Sequence, residues 1–291
     1  MISVIVPVYN EEDAVAGCLS ALDTALKDFT DYEIIIVNDG STDNTLDVLR
    51  RLNMVNIKVI NHIENYGYGK SLYDGICAAK YNCIGIIDGD GSYNAERIKD
   101  LYKFYPSYDM VVGAREGNEY KKGFFKSIAR TFFQFLVEYA SGRKVPDANS
   151  GLRIFNRELV LNYKDSLCTG FSFTTTITLL FLLNHYAIKY VPIEYLARRG
   201  KSKVKHFKDT LRALQIIIES ILFYNPLKLF LLIANINVSF GLVLWILNHY
   251  LFSKNATVTI ISAISIASFP LIFCLGLLST QLRKNHSQRK P

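Results

Sequence analysis

The first half of the chain alternates short apolar runs with amphipathic stretches. The apolar runs have the length of strands, and the stretches between them have helical spacing. The runs are apolar throughout, which is typical of strands that are covered on both faces. Strand–helix repetition predicts an α/β fold with a mostly parallel sheet and right-handed crossovers. The predicted strands are 2–9, 33–38, 57–61, 83–87 and 109–113, and the predicted helices are 13–27, 69–80 and one that begins at 43.

The C-terminal part of the chain has a different pattern. No charged residue occurs in the 25 positions between Lys228 and Lys254, or in the 28 between Lys254 and Arg283. Each stretch exceeds the roughly 20 residues that a helix needs to cross a bilayer. We therefore predict a transmembrane hairpin with helices at 227–252 and 256–282, the alternative being a pair of buried core helices. Asn235 and Asn237 would need polar partners inside such a hairpin.

Charge is distributed unevenly along the chain. Residues 198–291 carry thirteen Lys and Arg against two Asp and Glu, a net charge of +11, whereas residues 1–197 carry twenty against twenty-four, a net charge of −4. Basic charge interleaved with apolar runs favours membrane lipids as a partner over nucleic acid. Because Lys and Arg flank both ends of the predicted hairpin, the positive-inside rule predicts an integral membrane protein whose front domain and both termini are cytoplasmic.

These patterns predict five parts: an α/β domain at 1–200, a basic amphipathic segment at 201–226, the two transmembrane helices, and a basic tail at 283–291. The amphipathic segment suits the membrane interface, although an ordinary domain-packing helix has the same pattern. The strand-like start of the chain predicts that no signal peptide is present. Five scattered cysteines without a CxxC pair predict neither disulfides nor a zinc site. The hairpin could also support a homo-oligomer.

Acidic residues follow three of the predicted strands. Glu11 comes after the first strand, Asp39 after the second, and Asp88 and Asp90 after the fourth. Ligands of parallel sheets bind beyond the carboxyl ends of the strands, so these residues should face one crevice. Clustered carboxylates repel one another unless a cation is present. Asp88 and Asp90 suit Mg²⁺ or Mn²⁺ with room for diphosphate oxygens, although a turn with helix-capping acids is the plain alternative.

Cations occur where an anionic acceptor could be held. Arg115 follows the fifth predicted strand, and its guanidinium can grip a phosphate with two hydrogen bonds. Lys70 follows two glycines and opens a helix, where backbone N–H groups favour anions. A predicted helix combines a basic stretch with aromatic residues, which suits a phosphate on an apolar chain, although solvated lysines are equally compatible. Its members are Lys121, Lys122, Lys126, Arg130, Phe124, Phe125, Phe132 and Phe133.

Four segments, in this order, resemble inverting family 2 glycosyltransferases with a Rossmann-like GT-A fold: VPVYNEE (6–12), VNDGSTDNT (37–45), NYGYGKS (65–71) and DGDGS (88–92). Arg115 and SGLRIF (150–155) extend the resemblance to polyprenyl-phosphate transferases of the dolichol-phosphate mannose synthase type. GKSK (200–203) and the two apolar stretches resemble bacterial members that act on undecaprenyl phosphate. The resemblance implies transfer of a sugar from a UDP- or GDP-linked donor to polyprenyl phosphate in a bacterial inner membrane, for modification of cell-envelope glycans.

The resemblance also implies roles for individual residues. Pro7, Tyr9 and Glu11 would line the nucleoside pocket, and Asp39 would contact the base or ribose. Dolichol-phosphate mannose synthases carry a glutamine metal ligand where this chain has Ser92, whose oxygen is a shorter and weaker ligand. Asp147 and Arg153 look like loop-ordering residues. The remaining implied contacts are Lys70, Asp88, Gly89 and Asp90 with the nucleotide-sugar, Asp88 and Asp90 with the metal, Arg115, Lys126 and Arg130 with the acceptor phosphate, and Asp88, Asp90, Arg115 and Arg130 in catalysis.

Three other functions are alternatives to this one. A membrane glycosyltransferase that acts on a hydroxyl acceptor, such as a glycolipid or processive polysaccharide synthase, is disfavoured in its processive form because the QxxRW motif is absent. The only tryptophan is Trp245, inside the first apolar stretch. A catalytically inactive sugar-binding scaffold would not need the Asp88 and Asp90 pair. A dinucleotide-dependent oxidoreductase would need GxGxxG after the first strand.

Overall fold

The computed structural model of the chain describes residues 1–52, 54–117, 124–163, 173–197, 225–250 and 255–287, with scattered positions between 211 and 222; side chains are not described at 124–130 and 283–287. The strands are β1 (Ile2–Val8), β2 (Tyr32–Asn38), β3 (Ile57–Asn61), β4 (Cys83–Ile86), β5 (Met110–Glu116), β6 (Arg153–Asn156) and β7 (Ile188–Glu194). The helices of the front part are α1 (Val15–Leu26), α2 (Thr45–Arg51), α3 (Tyr68–Ala78), α4 (Arg97–Tyr102), α5 (Phe124–Ser141), α6 (Arg157–Leu161) and α7 (Phe173–Leu183).

The described strands form one sheet in the order β3-β2-β1-β4-β6-β5-β7. β1 is parallel to both β2 and β4, β2 is parallel to β3, and β5 is parallel to β7. β6 runs antiparallel to both of its neighbours, β4 and β5. The predicted α/β fold with a mostly parallel sheet is confirmed. β6 and β7 are additions that the sequence pattern did not predict.

Apolar side chains cover both faces of the sheet, as the unbroken apolar runs predicted. Along β1, Ile2, Val4 and Val6 pack with α1 and α4, whereas Ile5 points to the opposite face. That opposite face packs against α3 and α7. The two hydrophobic layers hold the central strands rigidly, so that the residues at their carboxyl ends have fixed positions.

The order of the strands places a ligand crevice next to β1. From β1 the chain moves to β2 and β3 on one side, and it then returns to β4 on the other side. Such a reversal is the switch point at which ligands of open α/β sheets bind, outside the carboxyl ends of the strands. The loops after β1 and β4 are therefore the expected walls of the site.

The chain divides into two compact units, Met1–Ile216 and Ile217–Pro291. In the second unit, α8 (Pro226–Tyr250) packs against α9 (Ala256–Ala267) and α10 (Phe269–Ser287). The described residues contain two stretches long and apolar enough to cross a membrane, Pro226–Tyr250 and Ala256–Leu282, with mean hydropathies of 2.2 and 2.3. Only 11% of each apolar window is buried. Core helices of a soluble protein would be mostly buried, so the finding fits a hairpin.

The side chains of Asn235 and Asn237 both have hydrogen-bond partners. The Asn237 amide donates to the Ser268 hydroxyl at 2.5 Å and to the Ser265 carbonyl at 3.3 Å. Asn235 instead donates to the Leu231 carbonyl of its own helix at 2.8 Å. The predicted need for partners is therefore met, one by a neighbouring helix and one locally. The domain boundaries predicted at 200 and 226 stay predictions, because most of the amphipathic segment lies outside the described residues.

Candidate active site

The loops after β1 and β2 are tied to each other by hydrogen bonds. The Asn10 N–H donates to the Ser41 hydroxyl at 2.9 Å, and the side-chain Oδ1 of Asn10 accepts from the Thr42 N–H at 2.7 Å. The Glu11 N–H donates to the Thr45 hydroxyl at 2.8 Å. Asn10 adopts a φ of 54°, a left-handed conformation that asparagine tolerates better than most residues. The two loops therefore form one rigid rim of the crevice.

The DGDGS segment after β4 is held close to β1. A Cβ on Gly89 would lie 2.6 Å from a methyl group of Val8, so only glycine fits there. Asp90 is buried, and its Oδ1 accepts from the Ser92 N–H at 2.9 Å and from the Ser92 hydroxyl at 2.5 Å. Ser92 thus fixes the orientation of Asp90, a role that the sequence did not indicate. Its proposed part as a metal ligand stays a prediction.

Asp88 lies between a tyrosine and a glycine. The Tyr68 hydroxyl donates to Asp88 Oδ1 at 2.8 Å. On the other side, a Cβ on Gly151 would lie 2.1 Å from Asp88 Oδ2. The glycine of the SGLRIF segment is thus required by close approach to the carboxylate. Burial raises the pKa of Tyr68 well above its ordinary value, and the negative charge of Asp88 adds to this, so the phenol stays a hydrogen-bond donor.

A buried cysteine shows that the acidic residues of different strands share one region. The pKa of the Cys18 thiol is raised to about 12, mainly by burial and in smaller part by the negative charges of Asp90, Asp88 and Glu11, in that order. The three carboxylates therefore act on a single sulfur atom of α1. The prediction that the residues following β1, β2 and β4 all face one crevice stays a prediction. At neutral pH Cys18 is an uncharged thiol, which adds no further negative charge beneath the site.

Asp39, at the end of β2, is surrounded by donors from the loop after β3. Its Oδ1 accepts from the Tyr66 N–H at 2.9 Å, and its Oδ2 accepts from the Gly67 N–H at 2.8 Å. The His62 ring lies with Nδ1 at 2.8 Å from Oδ1. Asp39 is 3% exposed and therefore anchors this loop. The contact of Asp39 with a base or ribose, which the family resemblance implies, stays a prediction. Asp39 would make that contact in addition to anchoring the loop.

The contacts continue from Asp39 to the surface of α3. His62 Nε2 lies 3.0 Å from Asp74 Oδ2, and the Lys70 ammonium lies 2.5 Å from Asp74 Oδ1. Lys70 thus belongs to a chain of groups with Asp74, His62 and Asp39. The structure pairs Lys70 with a carboxylate on its own helix, so its assignment to a nucleotide phosphate stays a prediction.

Arg115 lies within β5, and not after it as the sequence pattern suggested, because the strand extends to Glu116. Its Nε and Nη2 donate to the two oxygens of Asp147 at 2.7 and 2.9 Å. Burial by itself raises the pKa of Asp147, but the charge and hydrogen bonds of Arg115 outweigh it and hold that pKa below its ordinary value. Arg115 is thus neutralised by a buried carboxylate, and its role toward an acceptor phosphate stays a prediction.

Arg153 is fully buried and organises the segment before β6. Its guanidinium donates to the carbonyl oxygens of Ser150, Ala148 and Thr174. Burial lowers the pKa of Arg153, although the nearby tyrosines and Asp147 oppose this. These contacts agree with the prediction that Arg153 orders a loop. The same segment reaches the site through the Gly151 N–H, which donates to the Tyr93 hydroxyl at 2.7 Å.

Several predicted site residues are described by their position in the fold. Pro7 is the buried penultimate residue of β1, and Tyr9 is half-buried directly after it. Lys126 and Arg130 belong to α5, but their side chains lie outside the described ones, as do Lys121 and Lys122 entirely. Three residues that sequence reasoning did not single out contact predicted site residues: Cys18, His62 and Tyr68.

The strand-end carboxylates fit a divalent cation. Within the described ranges, no group of three or more His, Cys, Asp or Glu side chains could hold a metal ion. Asp88 and Asp90 offer hard oxygen donors, and each is oriented by a hydrogen bond from a hydroxyl group. Mg²⁺ typically takes one or two protein carboxylates and completes its shell with phosphate oxygens and water. Two oriented carboxylates are therefore enough protein ligands for such a site.

The sheet order and the carboxylate pair beyond β4 define a GT-A-like glycosyltransferase domain. The sequence profile of the family described as glycosyl transferase family 2 matches residues 3–163, more than half of the chain. The chain belongs to this family. The predicted family and its enzyme class are thereby confirmed.

Relatives with named activities share the catalytic part. A low-salt glycan biosynthesis hexosyltransferase of Haloferax volcanii is 27% identical over 72% of this chain and 51% of its own length. The undecaprenyl-phosphate 4-deoxy-4-formamido-L-arabinose transferase of Serratia proteamaculans is 27% identical over 84% of this chain and 75% of its own length. The chain thus spans about half of the first relative and three quarters of the second.

The fold also occurs in solved structures. Glucosyl-3-phosphoglycerate synthase from Mycobacterium tuberculosis, in complex with Mn²⁺, uridine diphosphate and glucosyl-3-phosphoglycerate, superposes with a TM-score of 0.60 over 76% of this chain and 79% of that chain. The sequence identity is 18%, so the likeness concerns the fold.

Proposed function

We propose that the chain catalyses inverting transfer of a sugar from a nucleotide-sugar to a polyprenyl phosphate, with undecaprenyl phosphate as the expected acceptor. The observation that carries this proposal is the pair of oriented carboxylates, Asp88 and Asp90, at the switch point of the sheet. The acceptor is supported by the Serratia relative, whose name specifies undecaprenyl phosphate, and by the two apolar helical stretches.

The proposed donor site lies at the rim formed by the loops after β1, β2 and β4. The carboxylates of Asp88, which is half-buried, and Asp90, which is buried, would hold Mg²⁺ or Mn²⁺, and the metal would neutralise the charge that develops on the departing nucleoside diphosphate. The fold neighbour binds Mn²⁺ and uridine diphosphate, which supports this choice of ligands. Pro7, Tyr9, Glu11 and Asp39 would surround the nucleoside, in keeping with their place along the same edge.

In the proposed reaction an oxygen of the acceptor phosphate forms a bond to the anomeric carbon of the sugar. The bond from that carbon to the donor diphosphate breaks, and its electron pair leaves with the diphosphate. A phosphate monoester has a second pKa of about 6, so it is largely ionised at neutral pH and needs no protein base. The protein's task is to orient two anionic groups against each other and to offset their charge.

Membrane attachment is part of the proposal. We place α8 and the α9–α10 pair across a bilayer, with the front domain and both termini on the cytoplasmic side. The support is the excess of Lys and Arg at both ends of the apolar region. Tags at the two termini should be accessible to impermeant reagents only from the cytoplasmic side, and labelling of the C-terminus from the other side would contradict this arrangement.

The test uses the purified full chain in phospholipid nanodiscs with Mn²⁺ and a panel of nucleotide-sugars. Undecaprenyl phosphate and undecaprenol serve as matched acceptors that differ only in the phosphate. We expect one donor to give a lipid-soluble labelled product with undecaprenyl phosphate and none with undecaprenol. Transfer to undecaprenol instead would favour the alternative of a hydroxyl acceptor.

A further inference from the structure

The Asp88 carboxylate is positioned from two sides by groups that belong to other segments. Tyr68, the first residue of α3, donates its hydroxyl hydrogen to Oδ1 at 2.8 Å. Gly151 comes so close to Oδ2 that a Cβ there would overlap it. The side chain of Asp88 is therefore oriented by its surroundings as well as by its own backbone.

The position of Tyr68 is itself set by Asp39. The Tyr66 and Gly67 N–H groups both donate to the Asp39 carboxylate, which is buried at the end of β2. Gly67 has a φ of 101°, a conformation that glycine adopts without strain, and α3 starts at the next residue. Gly40, with a φ of 64°, allows the backbone of residues 64 and 65 to pack directly on the β2 loop.

Hydrogen bonds to an ionised carboxylate are strong, and the loop between β3 and α3 provides several of them to Asp39. Two backbone donors and the His62 ring meet the Asp39 carboxylate within 2.9 Å. Asp74 contacts the far side of the His62 ring at 3.0 Å. Asp39 therefore anchors the loop between β3 and α3. This loop leads directly to Tyr68, whose hydroxyl donates to Asp88.

We propose that Tyr68 is a positioning residue for the metal site, and that Asp39 acts on the same site through Tyr68. This inference rests on the proposed function, because it assumes that Asp88 is a metal ligand. Groups that orient metal ligands typically change metal affinity or activity by about 10- to 100-fold when they are removed. A residue that only fills space beneath the site would change stability and leave metal affinity unaltered.

The direct test is the affinity of the full chain for Mn²⁺ without any donor, measured by the electron paramagnetic resonance signal of free Mn²⁺. Tyr68→Phe removes only the hydroxyl oxygen, and we expect Mn²⁺ binding to weaken about 10-fold. The matched control is Tyr81→Phe, because the Tyr81 hydroxyl bonds to Asp31, a surface carboxylate away from the site. The control should bind Mn²⁺ like the unmodified protein.

A second variant tests the coupling through the loop. Asp39→Asn keeps the size of the side chain but removes the charge that the two backbone N–H groups meet. We expect Mn²⁺ binding to weaken in this variant too. If Asp39 only contacted the nucleoside, its replacement would leave Mn²⁺ binding unchanged in the absence of donor. This measurement also keeps the inference testable if Tyr68→Phe does not fold.

The outcomes separate the inference from the function on which it rests. Asp90→Asn should abolish Mn²⁺ binding if the metal site is where we propose it. Loss in Asp90→Asn with unchanged binding in both Tyr68→Phe and Asp39→Asn would overturn the inference alone. Unchanged binding in Asp90→Asn would instead overturn the metal site of the proposed function.

Discussion

At the scale of single residues, the site consists of the carboxylates of Asp88 and Asp90 and of side chains, such as Tyr68 and Ser92, that orient them. Asp88 and Asp90 stand directly after an apolar run, so their place at the edge of a parallel sheet could be predicted. The contacts of Tyr68 and Cys18 with this pair join segments that are 20 and 70 residues apart. No periodicity in the sequence encodes such pairings, because they depend on how the loops pack.

Asp90 is the residue whose loss should separate chemistry from folding most cleanly. Asp90→Asn keeps the shape of the side chain but removes a charge from the proposed metal site, which would remove several kcal/mol of transition-state stabilisation. We expect sugar transfer to fall at least 100-fold while the thermal transition followed by circular dichroism stays nearly unchanged. Asp47→Asn, which alters an exposed carboxylate on α2, is the control and should retain activity.

Arg115 should be important for stability, whatever its part in acceptor binding. Arg115→Met leaves the buried Asp147 carboxylate without its partner, which typically costs about 3–5 kcal/mol. For a domain of this size the loss corresponds to a Tm lower by roughly 10 °C. Loss of activity in this variant therefore would not by itself assign Arg115 to the acceptor, and Tm has to be measured beside it.

The pH dependence of this destabilisation has a definite sign. In the unmodified protein the pKa of Asp147 is lowered, so the ion pair stabilises the fold above the unfolded value of about 3.9 and ceases to do so as pH falls through the folded pKa. In Arg115→Met the charge and side-chain hydrogen bonds of the guanidinium are gone, and only the backbone N–H groups of Asn149 and of residue 115 still oppose the effect of burial on the pKa of Asp147. The difference in Tm should thus be largest near pH 7 and narrow at acid pH, and a constant difference would contradict this account.

At the scale of elements, the first five strands were predictable, whereas β6 and β7 were not. β3 has the predicted bounds, and β1, β2 and β4 differ by one residue at one end, because unbroken apolar runs identify strands covered on both faces. β7 escaped prediction because Pro192 interrupts it and charged residues, Lys189 and Glu194, lie near its two ends. Proline is tolerated there because β7 lies at the end of the sheet, where it pairs with β5.

The contact between α8 and α9 depends on a small residue. A Cβ on Gly241 would lie 2.9 Å from the Ser262 carbonyl oxygen and from the Ser265 Cβ. Gly241→Leu should force the helices apart, at a cost of about 1–3 kcal/mol. The fluorescence of Trp245, the single tryptophan and a residue of α8, reports on this region during heating in detergent.

The matched control for this prediction is Val243→Leu, which enlarges an exposed side chain of the same helix. We expect its Trp245 transition to remain within about 1 °C of the unmodified protein, whereas Gly241→Leu should lower the transition clearly. Equal transitions in both variants would show that close approach at Gly241 does not stabilise the pair of helices.

At the scale of the whole molecule, a GT-A-like domain and a pair of long apolar helices occur in one chain. The uneven distribution of charge and apolar runs made this division predictable, since residues 1–197 are acidic and the remainder is basic. The boundary between the parts could not be placed from the sequence, because the basic segment suits a membrane surface and a packed helix equally. The proposed acceptor has the same two characters, because a polyprenyl phosphate carries a charged phosphate on an apolar chain.

A phosphate acceptor predicts a particular dependence of transfer on pH. Under subsaturating acceptor the rate should rise about tenfold per pH unit up to about 6 and then level off, following ionisation of the phosphate. A polyprenyl phosphonate, which ionises at higher pH, should move the break upward. If the pH of the break instead stays the same with both acceptors, and the break disappears when Glu116 or Glu138 is replaced, that result would indicate a protein base and a hydroxyl acceptor.

The central claim is that the Asp88 and Asp90 site joins a sugar to a lipid phosphate. Its most direct test is mass spectrometry of lipids extracted from bacterial membranes that overproduce either the unmodified chain or Asp90→Asn. We predict a polyprenyl phosphate that carries one additional sugar residue, present with the unmodified chain and absent with Asp90→Asn. The appearance of the same lipid with both proteins, or of a glycolipid without phosphate that depends on Asp90, would contradict the account.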